Sequence, residues 1–396
     1  MNTTKNTTTT KITIIGAGVS GLTLATFLAH EGIPFIVLER RNRAYIESRQ
    51  RAGVVDARAV RMFENHGLAE KLLGGPMAET IDYRVNGVSH VFTAYKNDGI
   101  AGRFCTQQML VVNLLRELLD NMHGDVRFDA ADIGISNEAE QKPIVTYSDE
   151  QGSHTIVSDY VVGCDADRGV SRSSIPKGVI KTFTHEFGYA WLAALVEAPV
   201  TGHPIMGVSD YGFVGQLPRG PQRSRYYLQC ALNDGREQWP DERLWDEIRL
   251  RLNDPAIENS QVHSMEFVPL RSVVHEPLQY NNLFLAGDAA HMVPPVSAKG
   301  MNLALYDVDI LFNGLVKAIK SNEKDDLESY SDTILPHIWN YQDFACWMAD
   351  TMHDAGNTAL HGAFRQKIAK ARLMNLFNQE SDTAAILHSE FQRGMN

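Results

Sequence analysis

The 396-residue chain is 44% hydrophobic and 21% charged, the balance of a folded protein long enough for two domains and a sizeable core. Its 37 Lys and Arg against 48 Asp and Glu leave a net charge of −11, which argues against nucleic acid as a partner, since phosphate binding needs a basic face. No apolar run is long enough to span a bilayer, no signal-peptide core is present, and Cys105, Cys164, Cys230 and Cys346 are scattered without a C-x-x-C pair. The expectation is a soluble, cytoplasmic protein with no membrane partner and no disulfide or metal-ligand pattern.

Residues 1–10, rich in Asn and Thr, read as a disordered tail. Lys11-Ile12-Thr13-Ile14-Ile15 is then a strand, followed by Gly16-Ala17-Gly18-Val19-Ser20-Gly21. Leu22, Leu24, Ala25, Phe27 and Leu28 give a helix that stops at Gly32, and Phe35-Ile36-Val37-Leu38 is a second strand ending at Glu39. This is a βαβ unit with G-x-G-x-x-G at its first turn and an acid where a ribose hydroxyl needs an acceptor. The glycines let the backbone approach a pyrophosphate at the helix N-terminus, which points to dinucleotide binding. Arg40, Arg41, Arg43, Arg49 and Arg51, with Tyr45, make a basic cluster in an acidic chain. It is either a solvated face or a phosphate site, since a guanidinium matches phosphate oxygens in pairs.

Residues 52–73 are helical in pattern, with Val55, Ala59, Met62 and Phe63 on one face, and 81–95 alternate as strands. Gln107 leads into a helical run over 109–122, and short strands follow at 126–128, 143–148 and 155–158. Tyr160-Val161-Val162-Gly163-Cys164-Asp165 is a buried strand ending in an acid, with Arg168 and Arg172 close behind. From 187 to 267 the chain turns β-rich and aromatic, broken by Pro218-Arg219-Gly220-Pro221, Asn233-Asp234-Gly235 and an amphipathic helix over 239–252. That shift marks a second, sheet-based domain.

The chain then returns with the strand Asn282-Leu283-Phe284-Leu285-Ala286, which runs into Gly287-Asp288, Pro294-Pro295 and Ala298-Lys299-Gly300-Met301-Asn302. A strand reaching Gly-Asp at its carboxyl end is where open α/β sheets put ligands. Asp288 is placed to accept from a sugar hydroxyl, the proline carbonyls are free to face a ligand, and a helix starting at Gly300 favours negative charge. The plainer alternative is a connection that only needs Gly and Pro. The tail is helical, and its aromatic stripe over 338–348 suits core or a subunit interface. Neither H-E-x-x-H nor G-x-S-x-G occurs. The expected architecture is mixed α/β. It comprises a tail (1–10), a Rossmann-like nucleotide domain (11–180), a β-sheet substrate domain (181–280), and a return ending in a helical interface segment (281–396).

The windows 16–21, 165–172, 223–229 and 287–302 resemble the single-component FAD-dependent aromatic hydroxylases, most closely the p-hydroxybenzoate hydroxylase family, and the likeness runs from residue 11 to about 394. The resemblance implies FAD and NADPH as cofactors, a small aromatic acid and O2 as substrates, and a homodimer. It puts Asp288 on the FAD ribitol, Gly300, Met301 and Asn302 with Lys299 at the flavin pyrimidine edge, and Gln107 near the pyrophosphate. Arg51 and Arg225 fall beside the flavin. Arg40, Tyr45, Arg49 and Arg271 fall on the NADPH side, where Arg41 adds a charge favouring NADPH over NADH. Asp165 would serve both cofactors, although the glycine that follows it in the family is Ala166 here.

Arg219 and Tyr227 match the family's substrate-carboxylate clamp, whose third member, a serine, is Leu217 in this chain. The Pro295 carbonyl would meet the para substituent. The resemblance implies hydroxylation ortho to that substituent through a C4a-hydroperoxyflavin. Two family tyrosines that draw a proton from a substrate phenol fall on Met206 and Phe391, neither of which can relay one. A ring amine needs no such help, so a 4-aminobenzoate-type acid is expected to react better than a 4-hydroxybenzoate, unless Tyr211 or His291 provides another relay. The competing classes are a flavin oxidase or dehydrogenase on the same scaffold and a non-catalytic flavoprotein. The Pro294-Pro295 loop, the arginines and the clamp weigh against both.

Overall fold

The computed structural model describes residues 6–49, 53–75, 77–78, 80–93, 96–97, 100–200, 202–354 and 358–377. Strand β1 (Asn6–Ile15), helix α1 (Val19–His30) and strand β2 (Phe35–Leu38) form the expected βαβ unit. Helices α2 (Arg43–Ser48) and α3 (Ala57–Asn65), strand β3 (Thr80–Val85) and helix α4 (Gln107–Leu115) follow. Strand β4 (Gly152–Gly163) returns beside β1 in parallel. The second sheet is built from β5 (Lys181–Val196), β6 (Ile205–Ser209), β7 (Gly212–Pro218), β8 (Ser224–Cys230) and β9 (Val262–Glu276). Then come β10 (Leu283–Leu285), α5 (Gly300–Lys320), α6 (Tyr330–Asp354) and α7 (Thr358–Phe377).

The first sheet runs Gln279–Tyr280, β10, β4, β1, β2, Val126–Arg127. Its central strands are parallel and buried, as all four residues of β2 show, with α1 packed on β1 and β2 and against α5. The first core gathers Ile12, Ile14, Leu22, Phe27, Val37, Leu285, Leu303 and Leu311 from these elements.

Two expectations need correction. Residues 6–10 are not tail: they extend β1, pairing in parallel from Asn6↔His154 to Thr10↔Ser158. Their β-branched threonines suit a pleated strand once a partner is present. Nor does the second sheet begin at 181. The β3 strand and its hairpin partner Val88–Thr93 join it through β6, in parallel from Ile205↔Asp82 to Val208↔Val85. The full order is His291–Met292, β9, β5, β8, β7, β6, β3, Val88–Thr93. The two residues His291 and Met292, which follow the Gly287-Asp288 turn, therefore pair with Val274 and Val273 of the second sheet. That ladder brings the cofactor-side turn and the substrate sheet to one place.

The aromatic stripe near the end of the chain is mostly core. Ile338, Tyr341, Phe344 and Met348 are buried, whereas Trp339 is 40% exposed and donates its indole N–H to Glu276. None of the helices among the described residues is long and apolar enough to cross a membrane.

Candidate active site

The carboxyl ends of β1, β2, β4 and β10 lie side by side, tied by Gly16 N–H to Leu38 O (2.7 Å), Cys164 N–H to Ile15 O (2.8 Å) and Ala286 N–H to Gly163 O (3.0 Å). Glu39, Asp165 and Asp288 thus border one crevice, at the edge where such sheets bind ligands. The glycines of the first turn have distinct duties. A Cβ on Gly16, which sits at φ +105°, would lie 2.4 Å from the Cys164 carbonyl oxygen, and one on Gly21 would lie 2.0 Å from that of Gly16. Gly18 faces open space, with nothing within 4 Å of a Cβ. Two of the glycines make the turn and the third leaves room beside it. Glu39, buried, accepts from Ala17 N–H and Arg41 N–H (2.9 Å each), so its carboxylate is pinned at the lip of that turn with further lone pairs to offer.

Across the crevice, Gly287 takes φ +62°, and a Cβ there would meet the Ser20 hydroxyl at 2.6 Å, so the two loops touch. The turn is held from behind by Asp307, which accepts from Gly287 N–H (2.8 Å) and contacts His291 Nε2 (2.7 Å) with both side chains buried. Asp288 is half-buried at the crevice wall. Gln107 opens α4, where its side chain has no hydrogen bond among the described residues. Gly53 packs against the backbone there, since a Cβ on it would stand 2.6 Å from Cys105 O and 2.9 Å from the Gln107 backbone nitrogen. The first N–H groups of α1 and α5 have no intrahelical acceptor. Taken together, the open Gly18 lip, two helix N-termini and carboxylates at successive strand ends fit a dinucleotide such as FAD.

Three details depart from expectation. The proline carbonyls are not free: Pro294 O accepts from the Ser297 hydroxyl (3.4 Å), and Pro295 O from Ala298 N–H (3.0 Å), because Ala298 at φ +52° turns its amide back. Each carbonyl keeps one lone pair, and Pro295 is exposed. Lys299 does not aim its charge at the crevice. It is 1% exposed and pairs at 3.2 Å with Asp56, the N-cap of α3, and burial lowers its pKa. Asn302 likewise accepts from Asp56 N–H (3.0 Å) and donates to Val54 O (2.8 Å). At 299–302 the Lys299 and Asn302 side chains are thus engaged within the protein, and Met301 packs over Gly53. Asp56 and Asp307, both missed in the sequence, are N-cap and helix-interior acids whose partners only the fold supplies.

Beyond the end of β2, Arg40 and Arg41 are exposed, and the Arg41 and Arg49 guanidinium carbons sit 5.2 and 5.9 Å from the Tyr45 ring centroid. Arg43 is turned away, paired with Glu47 (2.7 Å). Asp165 accepts from the N–H and hydroxyl of Ser171 (2.8 and 2.9 Å), and burial raises its pKa. Ala166 adopts φ +64°, so the left-handed turn persists with a Cβ in it. Arg271 and Arg172 both meet Asp167, the former at 2.8 Å, and neither is a free charge, while Arg168 is exposed. Arg51 and Phe391 lie outside the described residues. Cys164 is a packed thiol, pushed up by burial.

The second core lines the substrate side: Tyr83, Trp191, Met206, Phe213, Tyr227, Val296 and Met348, with Leu217 at its margin. Arg219 donates Nη2–H to the Tyr227 hydroxyl (2.8 Å) and Nη1–H to Pro218 O (2.6 Å). Its Nε is buried with no partner, and no carboxylate pairs with it among the described residues. Burial lowers its pKa and the nearby Arg225 charge adds to this, with Tyr227 opposing. Arg225 itself is buried and meets Glu266 at 3.4 Å. Met206, 7% exposed, lies in register with Tyr83 of β3 and Gly215 of β7. Tyr211 is 59% exposed in the β6–β7 hairpin, and His291 is engaged by Asp307, so neither is set up as a relay.

A nucleotide crevice closed by a second sheet that carries an arginine–tyrosine clamp is the plan of a flavoprotein oxidoreductase. Comparison with known proteins agrees. A family model described as an FAD binding domain matches residues 9–345. The p-hydroxybenzoate hydroxylase of Acinetobacter baylyi is 32% identical over 380 residues, 92% of this chain and 90% of that protein. A probable NADH-specific resorcinol 4-hydroxylase of Rhodococcus jostii is 26% identical over 341 residues, 83% of this chain and 62% of that one. Among solved structures, p-nitrophenol 4-monooxygenase from Pseudomonas putida superposes with a TM-score of 0.82 at 16% identity, covering 98% of this chain and 99% of the other. The chain belongs to the class A FAD-dependent aromatic monooxygenases, the family of p-hydroxybenzoate hydroxylase.

Proposed function

We propose that this flavoprotein uses NADPH and O2 to hydroxylate a para-substituted benzoate ortho to its activating group, with a ring amine preferred to a ring hydroxyl. The observation that carries the reading is Arg219: a guanidinium held by Tyr227 and Pro218, with a buried unpartnered Nε and no acidic partner among the described residues. An aromatic carboxylate supplies the missing acceptor and relieves the repulsion between Arg219 and Arg225. Asp288, Glu39, Gln107, Gly18 and the backbone at 299–302 would hold the FAD, which when bound supplies the electron transfer and the oxygen activation. NADPH, O2, a proton and the aromatic acid become NADP+, water and the hydroxylated acid.

The preference for an amine rests on two features. Pro295 O is an acceptor, which suits a substituent that donates N–H and opposes a phenolate. Met206, buried against Tyr83, can neither take nor pass on a proton, so a phenol with a pKa near roughly 10 stays protonated. A neutral amine already activates the ortho carbon. NADPH as donor is supported by the exposed Arg40 and by Arg41 and Arg49 flanking Tyr45. A homodimer and a cytoplasmic site of action complete the reading, with exposed Phe364 and Met374 on α7 as a candidate contact.

The deciding experiment measures coupled product formation, beyond NADPH consumption alone, on 4-aminobenzoate and 4-hydroxybenzoate. Faster, tightly coupled turnover of the phenol would sink the amine preference. Under the proposal, Met206→Tyr raises phenol turnover.

A further inference from the structure

The end of α6 reaches the substrate sheet through two buried hydrogen bonds, of which the longer runs from the Tyr189 hydroxyl to Ala349 O at 3.5 Å. Trp191 of β5 donates its indole N–H to His353 Nε2 at 2.7 Å, and His353 Nδ1 lies 2.7 Å from Ala349 O. A carbonyl only accepts and an indole N–H only donates, so the tautomer follows: His353 carries its proton on Nδ1 and presents a lone pair at Nε2. Both side chains are buried, His353 completely. Tyr189 stacks on the imidazole at 4.4 Å, and Phe213 fills the angle between the two rings, 5.1 Å from Trp191 and 4.9 Å from His353.

Trp191 opposes Gln229 across the β5–β8 ladder, while Tyr227 opposes Ala193. Trp191 and Tyr227 are thus diagonal neighbours on one face, close enough for side chains to bear on each other. Their ring centroids are 4.9 Å apart, and the Tyr227 hydroxyl receives Arg219 at 2.8 Å. A rotated or slipped indole would move the Tyr227 ring and with it the only side chain that orients Arg219 among the described residues.

We propose that Trp191 and His353 are a positioning pair, a bond between α6 and the substrate sheet that sets Tyr227 and through it the aim of Arg219 at the substrate carboxylate. The pair touches neither flavin nor substrate in this role. It accounts for a fully buried histidine that the sequence offers no reason for, and it makes α6 a determinant of acid recognition. The inference rests on the carboxylate reading of Arg219.

The test titrates FAD-loaded enzyme with 4-aminobenzoate and, separately, with aniline, which has the ring and amine but no carboxylate, following the flavin absorbance. Trp191→Phe keeps the ring and deletes the donor. It should weaken 4-aminobenzoate roughly three- to tenfold, as expected for one lost buried hydrogen bond, and leave aniline unchanged. His353→Gln restores an acceptor and a donor and should stay within about twofold of the parent. Equal losses for both ligands in Trp191→Phe mean general loosening of the pocket and overturn the proposal. So does unaltered 4-aminobenzoate binding, or a His353→Gln loss matching Trp191→Phe. Arg219→Ala is run alongside. If it leaves 4-aminobenzoate binding intact, the clamp itself is wrong and this inference falls with it. If it weakens binding while Trp191→Phe does not, only the positioning pair fails.

Discussion

The dinucleotide crevice presents backbone to its ligand: a glycine turn, the first N–H groups of two helices and carboxylates pinned at strand ends. The substrate sheet presents side chains instead, drawn from β3, β5, β6, β7, β8 and α6 and held by ring packing and single hydrogen bonds. The first region tolerates little chemistry but needs few specific side chains. The second can be retuned residue by residue. The difference implies that damage to the crevice abolishes a ligand outright, whereas damage to the sheet grades an affinity.

The largest expected effect tests that division directly. Gly18→Val should leave the apo fold and its melting temperature near the parent, because nothing stands within 4 Å of the new Cβ, yet bind no stoichiometric flavin. Flavin content after purification and reconstitution checks it, and a yellow variant would contradict the assignment of the lip. Arg219→Ala should keep its flavin and raise the Kd of an aromatic carboxylate at least roughly tenfold, the range of a charged hydrogen bond worth about 1.5–3 kcal/mol.

A third test uses pH. Burial pulls His275 down to about 4 and His353 to about 3 from the ordinary 6.5. The unfolded chain takes up these protons near 6.5 and the folded chain only far below, so the unfolded state binds more protons in between. Stability is therefore complete above 6.5 and lost as pH falls toward 4, by at most about 1.4 kcal/mol per pH unit for each histidine. Both lie in the substrate sheet or on the helix packed on it. His275→Gln should flatten the melting temperature's fall between pH 6.5 and 4, and an unchanged slope would show that His275 is not one of the groups. The smallest effect is expected at the exposed arginines. Arg41→Ala should weaken NADPH more than NADH by only about two- to fivefold, the scale of a surface charge contact. Equal use of both donors by the parent enzyme would remove the case for Arg41.

The crevice was the more legible region because its signals are local. The spacing of Gly16, Gly18 and Gly21, Glu39 ending β2 and Gly287-Asp288 ending β10 are each read within a few residues of a strand end. What the sequence hid depends on partners far along the chain. Lys299 reads as a cation beside a helix start, but Asp56, 243 positions away, takes it. Residues 6–10 look like a polar tail until the first half of β4 is laid beside them. The strand β3 carries no mark that it will join a sheet built 120 residues later. In the substrate sheet Arg219 and Tyr227 were legible only through resemblance. Trp191 and His353 gave no signal at all, since a buried indole and imidazole look like core until their bond is seen.

The Pro294–Pro295 segment is a span with an abutment on each bank. At its near end His291 and Met292 are laddered to β9, and at its far end Lys299 and Asn302 are tied to Asp56 and Val54. Under the proposed reading, the height of the Pro295 carbonyl over a bound ring depends on those two footings as well as on the packing of Val296 in the second core. For anyone redesigning this enzyme to accept a larger or differently substituted ring, the footings are handles outside the pocket: a change at 56 or a shifted register at 273 would move the arch, and Val296 with it, while leaving the β-sheet walls of the chamber as they are.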